Sequence, residues 1–172
     1  EITRTERGSL ELHPEEVSIA DLLTEVVDAV RERIERKGNT LRLVGAAHAG
    51  TMRVDREKLR RCLLNLLANA GKFCEGGEIT LSAERERRNG REWVTFQVSD
   101  QGIGMTEEQI ERAFDPFTQA DSSSTRRYGG IGLGLYLTRR FSQMMGGEVS
   151  VGSQPAEGAT FTLRLPANTA RQ

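Results

Sequence analysis

The sequence of 172 residues is short of several features, and each shortage excludes a class of protein. It has only two cysteines, Cys62 and Cys74, which excludes a disulfide framework and indicates a reducing compartment. Neither charge is in excess, because 24 Lys and Arg face 25 Asp and Glu for a net charge of −1. Nucleic-acid-binding domains usually carry a basic excess, so no nucleic-acid partner is expected.

Long hydrophobic runs are also missing. No segment approaches the ~18–20 apolar residues that a membrane-spanning helix needs, and the first residues lack the apolar core of a signal peptide. We therefore expect a cytoplasmic domain without direct membrane contact, and leave open whether the parent protein is anchored in the inner membrane. The 37% hydrophobic and 28% charged residues that are present are typical of one globular domain with a real core.

Hydrophobic periodicity predicts three main helices. One opens at Ser18 and stops at Gly38, a second is capped by Asp55 and runs over 56–70, and a third covers 133–145. A short helix starts at Thr106, and segments 45–50 and 115–130 are predicted loops. The predicted strands are 41–44, 52–54, 78–85, 93–100, 148–153 and 160–165.

The order of these elements predicts the fold class. Asn89-Gly90 is a strong two-residue hairpin signal between the predicted strands 78–85 and 93–100. Strands do not alternate strictly with helices, which argues against a doubly wound parallel sheet. The order favours an α+β sandwich of two layers, with a mixed and mostly antiparallel sheet and helices on one face.

The second helix carries a polar face. Asn65, Asn69 and Lys72 are spaced i, i+4, i+7 and therefore share one side, and Phe73 follows. The amide oxygen of Asn69 is a hard neutral ligand of the kind that Mg²⁺ accepts, and Lys72 can meet a phosphate as a point charge. The alternative is that both amides bond locally and Lys72 is merely solvated.

Asp100 ends a strand, and Gly102 and Gly104 follow it at two-residue spacing. A carboxylate there can accept a hydrogen bond from the exocyclic amine of adenine, and glycine permits close backbone approach to a ligand. The alternative is an ordinary Asp-Gly turn.

A glycine-rich run, Gly129-Gly130-Ile-Gly132-Leu-Gly134, leads into the third helix. Free N–H groups before a helix N-terminus can cradle an anion, although neither the Walker A pattern nor the dinucleotide fingerprint fits. The alternative is a flexible hinge, which is compatible with phosphate contact. The three motifs are mutually consistent and together favour ATP binding.

On these motifs the sequence resembles the ATP-binding catalytic domain of bacterial sensor histidine kinases, in the superfamily shared with gyrase B, MutL and heat-shock chaperone ATPases. Residues 65–73 resemble the N box, 100–104 the G1 box, 114–117 the F box and 130–135 the G2 box. The segment 117–128 resembles the lid of hybrid kinases in particular.

The resemblance implies a Bergerat-type fold and protein-histidine kinase activity with ATP and Mg²⁺ as cofactors. Asn69 is implied as the Mg²⁺ ligand and Asn65 as its support, while Lys72 contacts phosphate, so these three are the implied catalytic residues. The implied nucleotide-binding residues are Asn69, Lys72, Phe73, Asp100, Gly102, Gly104, Phe117, Gly130, Gly132, Leu133, Gly134 and Thr160.

The resemblance also implies partners that lie outside this chain. The family transfers the γ-phosphoryl group to a histidine on a separate dimerisation domain, and then to an aspartate in the receiver domain of a response regulator. Residues 1–16 are expected to be the tail of the dimerisation helix and a linker, 17–166 the catalytic domain, and 167–172 a disordered tail. The parent is expected to be a homodimer through the missing helices.

Some positions depart from the family pattern. Ile131 stands where Thr or Ser is common, and Cys74 replaces a usual Thr. No segment resembles the H box, so neither His13 nor His48 is expected to accept phosphate and the chain is not expected to autophosphorylate alone. The alternatives are a related ATPase clamp, which needs transducer domains, and a non-catalytic nucleotide-binding module.

Overall fold

The computed structural model of the protein describes residues 11–116 and 134–169. The elements in chain order are β1 (Pro14–Ser18), α1 (Ile19–Glu35), β2 (Thr40–Val44), α2 (Ala46–Ala49), β3 (Thr51–Asp55), α3 (Arg56–Phe73), β4 (Glu78–Arg88), β5 (Arg91–Asp100), α4 (Glu107–Arg112), α5 (Gly134–Met144), β6 (Glu148–Ser153) and β7 (Ala159–Pro166).

Five strands form the main sheet in the order β2-β4-β5-β7-β6. Only the β2–β4 pair is parallel, and the other three pairs are antiparallel. Strands β1 and β3 form a separate antiparallel pair. Helix α1 packs on β2, α3 on β4 and β5, and α5 on β6 and β7. The predicted fold class, a two-layer α+β sandwich with a mixed and mostly antiparallel sheet, is confirmed.

The core lies between the helices and one face of the sheet. Alternation along each strand puts every second side chain on that face, and the register brings Leu81, Val98 and Phe161 side by side across three strands. All three are fully buried. The same register places Asp100 on this inner face at the end of β5, opposite Ile79 and Ala159.

Local capping chemistry begins three of the helices where the sequence indicates. Ser18 caps α1 and Asp55 caps α3, each through its side-chain oxygen. Thr106 and Gln109 form a reciprocal capping box at α4. In the predicted hairpin turn Asn89 and Gly90 both have positive φ, as a type I′ turn requires.

The structure corrects two predictions inside the domain. Helix α3 continues to Phe73, three residues beyond the predicted end at Ala70, so Lys72 and Phe73 occupy its last turn. The predicted loop 45–50 contains the short helix α2, which begins after a left-handed Gly45. Because a Cβ at Gly45 would overlap the carbonyl oxygen of Ala83, this turn packs directly on β4.

The structure also differs from the predicted domain limits. The predicted start at residue 17 cuts through β1, which begins at Pro14. The predicted disordered tail is wrong for residues 167–169, because Ala167 and Thr169 are buried. The Arg53 N–H donates to the Ala167 carbonyl at 2.8 Å, and the Thr169 N–H donates to the Arg53 carbonyl at 2.8 Å. Residues 1–10 of the predicted helix tail and linker (1–16), and the last three residues of the chain, lie outside the described part.

No helix within the described residues is long and apolar enough to cross a lipid bilayer.

Candidate functional site

Helix α3 carries the three polar residues that share one face. Asn65, Asn69 and Lys72 are all half-buried. The Asn65 Nδ2 donates to the carbonyl oxygen of Gly134 at 3.1 Å, and that carbonyl also accepts the Thr138 hydroxyl at 2.8 Å. The amide face of α3 is therefore fixed against the first turn of α5, where the glycine-rich run ends.

The C-terminal end of α3 touches the turn that follows β5. The Ile103 N–H donates to the Phe73 carbonyl at 3.2 Å. A Cβ added at Gly102 would overlap the Phe73 carbonyl oxygen and lie 2.9 Å from Asp100 Oδ1. Only glycine lets the two segments approach this closely. Packing against the end of α3 therefore explains the glycine at position 102, in the turn that is predicted to contact adenine.

Asp100 is a nearly buried carboxylate, with 8% of its surface exposed. Its Oδ1 accepts the Gly102 N–H at 2.8 Å, which fixes the orientation of the carboxyl group. Burial raises the pKa of Asp100 above its ordinary value, and hydrogen bonds from the backbones of Gly102 and Ala159 counteract only part of that shift. A carboxyl group in this setting suits a neutral N–H donor from a ligand, because the low-polarity surroundings strengthen the hydrogen bond.

The turn after Gly102 is held by the loop between β6 and β7. Gly104 has φ +69°, and a Cβ there would overlap the Gln154 carbonyl oxygen. The Ala156 N–H donates to the Ile103 carbonyl at 2.7 Å, and the Met105 N–H donates to Ser153 Oγ at 2.8 Å. Sequence reasoning missed Ser153, since a serine in a predicted strand gives no signal of a tertiary contact.

Thr160 is not brought to this site. It pairs with Ser99 across β5 and β7, and the two hydroxyl oxygens are 3.0 Å apart. Neighbouring residues of a strand point to opposite faces, so this hydroxyl lies on the other side of the sheet from Asp100. Ala159 occupies the inner position opposite Asp100.

Asn39 is a second residue whose role the sequence did not reveal. It is 4% exposed, its Nδ2 donates to the Cys74 carbonyl at 2.8 Å, and its Oδ1 accepts the Gly77 N–H at 3.0 Å. It thereby fixes the chain between the end of α3 and the start of β4. Its position after Gly38 indicated only a helix stop.

The two cysteines are structural. Burial raises the pKa of the Cys62 thiol to about 12, with a further contribution from the charge of Asp55. Burial also raises the pKa of the Cys74 thiol, and the charge of Asp100 adds to it, although the Gln101 and Gly77 backbones and Lys37 act in the opposite direction. A thiol held protonated is a poor nucleophile.

Four predicted binding residues, Phe117, Gly130, Gly132 and Leu133, lie outside the described part of the chain, as does the departure at Ile131.

Among the described residues, helix α3 makes two contacts that bring predicted site residues together. One joins Asn65 to Gly134, and the other joins Phe73 to Gly102 beside Asp100. Within residues 11–116 and 134–169 no three His, Cys, Asp or Glu side chains are grouped as a metal site.

Known proteins resemble this chain in sequence. The family described as "Histidine kinase-, DNA gyrase B-, and HSP90-like ATPase" matches residues 54–169. The chain is 34% identical over 169 residues to the autoinducer 2 sensor kinase/phosphatase LuxQ of Vibrio vulnificus, covering 96% of this chain and 20% of that protein. It is 40% identical over 154 residues to the sensor histidine kinase AruS of Pseudomonas aeruginosa, covering 86% of this chain and 15% of that protein.

A solved structure resembles this chain in three dimensions. Full-length ShkA in complex with AMPPNP superposes with a TM-score of 0.80 at 34% identity, over 94% of this chain and 33% of that chain. The chain therefore spans only a fifth or less of the two curated relatives and a third of this structure.

Proposed function

We propose a kinase function for this chain, which belongs to the histidine kinase-, DNA gyrase B- and HSP90-like ATPase family. The chain is homologous to the catalytic domains of sensor histidine kinases. It would bind ATP with Mg²⁺ and donate the γ-phosphoryl group to a histidine on a separate dimerisation domain. The AMPPNP complex of ShkA supports an adenine nucleotide as the ligand.

One observation carries the proposal: the contact of Gly102 and Ile103 with Phe73 sets the Asp100 carboxylate beside the end of the helix that bears Asn65, Asn69 and Lys72. A nucleotide lying along α3 would meet an acceptor at its base end, and amide and ammonium groups toward its phosphates. Guanine offers a carbonyl where adenine offers an amine, so the Asp100 carboxylate would favour ATP over GTP.

A magnesium ion fits the residues present. Mg²⁺ usually takes one or two protein oxygens together with water and substrate phosphate oxygens, so a dedicated carboxylate cluster is not required. The half-buried amide of Asn69 supplies such an oxygen, and Asn65, bound to Gly134, keeps the same helix face in place. When bound, the ion would neutralise charge on the phosphates.

The residues of this chain would act by binding and positioning. Phosphoryl transfer needs little covalent work from a protein, so catalysis consists of alignment and charge neutralisation. Asp100 would fix the base, Lys72 would place a positive charge by the phosphates, and Phe73 would lie beside the nucleotide. By the resemblance, Gly130, Gly132 and Gly134 would contact the phosphates, and Leu133 and Phe117 would also contact the nucleotide.

The proposed partners follow from the family. They are the histidine-containing dimerisation domain of the same parent, a second parent copy that pairs through that domain, and the receiver domain of a response regulator. Such a kinase would work in the cytoplasm, where ATP and the regulator are available. We also propose that the parent is a hybrid kinase, on the lid-like segment 117–128.

Titration of the chain with AMPPNP and Mg²⁺, followed by calorimetry, tests the proposal. We expect Asp100→Asn to weaken binding by about 10-fold to 100-fold, because a hydrogen bond to a charged group contributes roughly 1.5–3 kcal/mol. Asn69→Ala should remove the dependence of affinity on Mg²⁺. Thr160→Val is the matched control and should retain affinity, because its hydroxyl faces away from Asp100. Unchanged affinity in both Asp100→Asn and Asn69→Ala would refute the proposal.

A second measurement separates the kinase from the ATPase clamp. With labelled ATP and a supplied dimerisation domain, the chain should transfer the label to histidine. Steady hydrolysis of ATP by the isolated chain without such transfer would favour the clamp.

A further inference from the structure

Two buried charges lie at the N-terminus of α3, and neither belongs to the proposed nucleotide site. Asp55 is 3% exposed and Lys58 is 9% exposed, and Lys58 Nζ is 3.2 Å from Asp55 Oδ2. Helix capping needs only the Asp55 carboxylate, whose Oδ1 accepts the Lys58 N–H at 3.0 Å. Burying the ammonium group as well costs desolvation that pairing only partly returns, so the lysine calls for a separate explanation.

Both side chains hold the backbone of the leading segment, residues 11–13. Asp55 Oδ2 accepts the His13 N–H at 3.0 Å, and Lys58 Nζ donates to the Glu11 carbonyl at 2.9 Å. Burial alone would raise the pKa of Asp55, but the N–H groups of His13 and Lys58 and the Lys58 ammonium outweigh it and hold the pKa below its ordinary value. The carboxylate is therefore ionised, and the pair binds main-chain groups whatever side chains the segment carries.

The same ammonium group reaches the last helix. Lys58 Nζ lies 5.8 Å from the ring centroid of Phe141, a cation–π distance, and Phe141 is buried in α5. Helix α5 begins at Gly134, whose carbonyl accepts the Asn65 amide. Lys58 and Asn65 are seven residues apart, so they lie two turns apart on one side of α3. The leading segment, α3 and α5 thus meet at one pair of charges.

We propose that the Asp55–Lys58 pair is a joint that couples the leading segment to the helices carrying the nucleotide site, so that nucleotide binding and the placement of that segment influence each other. The inference rests on the proposed function, because the leading segment would link the dimerisation helix to this domain. Asp55 and Lys58 are positioning residues and touch no substrate. Coupling of this kind is reciprocal, so it can be measured from the nucleotide side in the present chain.

The test is the hydrogen-exchange rate of the His13 amide, measured by NMR with and without saturating AMPPNP and Mg²⁺. In the unaltered chain we expect nucleotide to slow this exchange at least about fivefold, the lower end of usual allosteric coupling. In Lys58→Met the response should disappear while AMPPNP affinity stays within about threefold, because the site residues are intact. Lys58→Arg, which keeps the charge, should restore the response.

Two controls keep the outcomes distinct. Arg56→Gln removes an exposed ion pair with Glu25 at the same helix end and should leave the response unchanged. Asp55→Asn retains a capping oxygen and removes the charge, so it replaces Lys58→Met if that variant does not fold. The proposed coupling is refuted if nucleotide binds without changing the exchange rate of the His13 amide. It is also refuted if the response persists in the charge-removing variant. Failure of the unaltered chain to bind AMPPNP overturns the proposed function instead.

Discussion

At the scale of single residues, the binding role proposed for Asp100 comes with a cost in stability. Because burial raises its pKa in the folded state, the folded protein holds a proton on this group more tightly than the unfolded chain does. The free energy of unfolding therefore falls as pH rises from 3.8, the ordinary value, through the raised folded-state pKa.

Asp100→Asn should accordingly be more stable than the unaltered chain near neutral pH, although it binds nucleotide less well. Asparagine can still accept the Gly102 N–H and carries no buried charge. Urea denaturation at a series of pH values measures the difference, which should shrink as pH falls toward 3.8. A variant less stable than the original chain at neutral pH would contradict this account.

Gly102 tests the contact between α3 and the turn after β5. Gly102→Ala should lower the free energy of unfolding by about 1–3 kcal/mol, the usual cost of overpacking, because its Cβ meets the Phe73 backbone. It should also weaken AMPPNP binding, since Asp100 and Phe73 would separate. The control is Gly152→Ala in β6, where a Cβ meets nothing within 4 Å, and urea denaturation should show a change below about 0.5 kcal/mol. Equal effects in both variants would remove the argument.

At the scale of elements, the position of α3 depends on how its two ends are held. Asp55 and Lys58 hold the first turn, and Asn39 holds the chain just beyond the last. The middle of the helix packs through its buried leucines. The polar face of α3 is therefore held in one orientation between the sheet and α5. This orientation determines whether Asn69 and Asp100 can contact the same ligand.

Asn39→Ala should cost about 2–4 kcal/mol of unfolding free energy, because it leaves the Cys74 carbonyl and the Gly77 N–H without their partner in a buried setting. AMPPNP affinity should fall as well, because Phe73 directly precedes Cys74. Urea denaturation and calorimetry give the two quantities. Asn168→Ala, at an exposed asparagine, is the control and should change neither. A loss below about 1 kcal/mol in Asn39→Ala would show that the turn is held by other contacts.

At the scale of the whole molecule, the two ends of the described chain meet on β3. Strand β1 pairs along one side of it, and residues 167–169 bond to Arg53 from the C-terminal end. The Ala167 N–H also donates to the Glu92 carbonyl at 2.9 Å, which ties the same segment to the hairpin. The first and last described segments are therefore joined through β3.

Removal of residues 167–172 should lower the free energy of unfolding by about 3 kcal/mol, since three backbone hydrogen bonds and two buried side chains are lost. Removal of residues 170–172 alone is the matched control and should cost much less. Thermal or urea unfolding of both truncations measures the difference. Equal stability of the two truncated chains would restore the predicted domain end at Pro166.

The parts of this protein that the sequence determined by itself are those set by local chemistry. Helical stripes, the Asp55 cap, the helix start at Thr106 and the Asn89-Gly90 turn depend on residues a few positions apart, and each is found where it was predicted. The polar spacing on α3 likewise follows from the helical repeat, although the roles assigned to Asn69 and Lys72 stay predictions.

Tertiary structure decided what depends on register and on distant segments. The register of β7 against β5 puts Ala159 rather than Thr160 opposite Asp100. A shift of one residue would reverse this, and no local signal in the sequence fixes the register. Strand β1, the ordered residues 167–169, and the contacts of Asn39 and of the Asp55–Lys58 pair join positions 33 to 116 residues apart. Such pairings are chosen by the free energy of the whole core, which no short stretch of sequence contains.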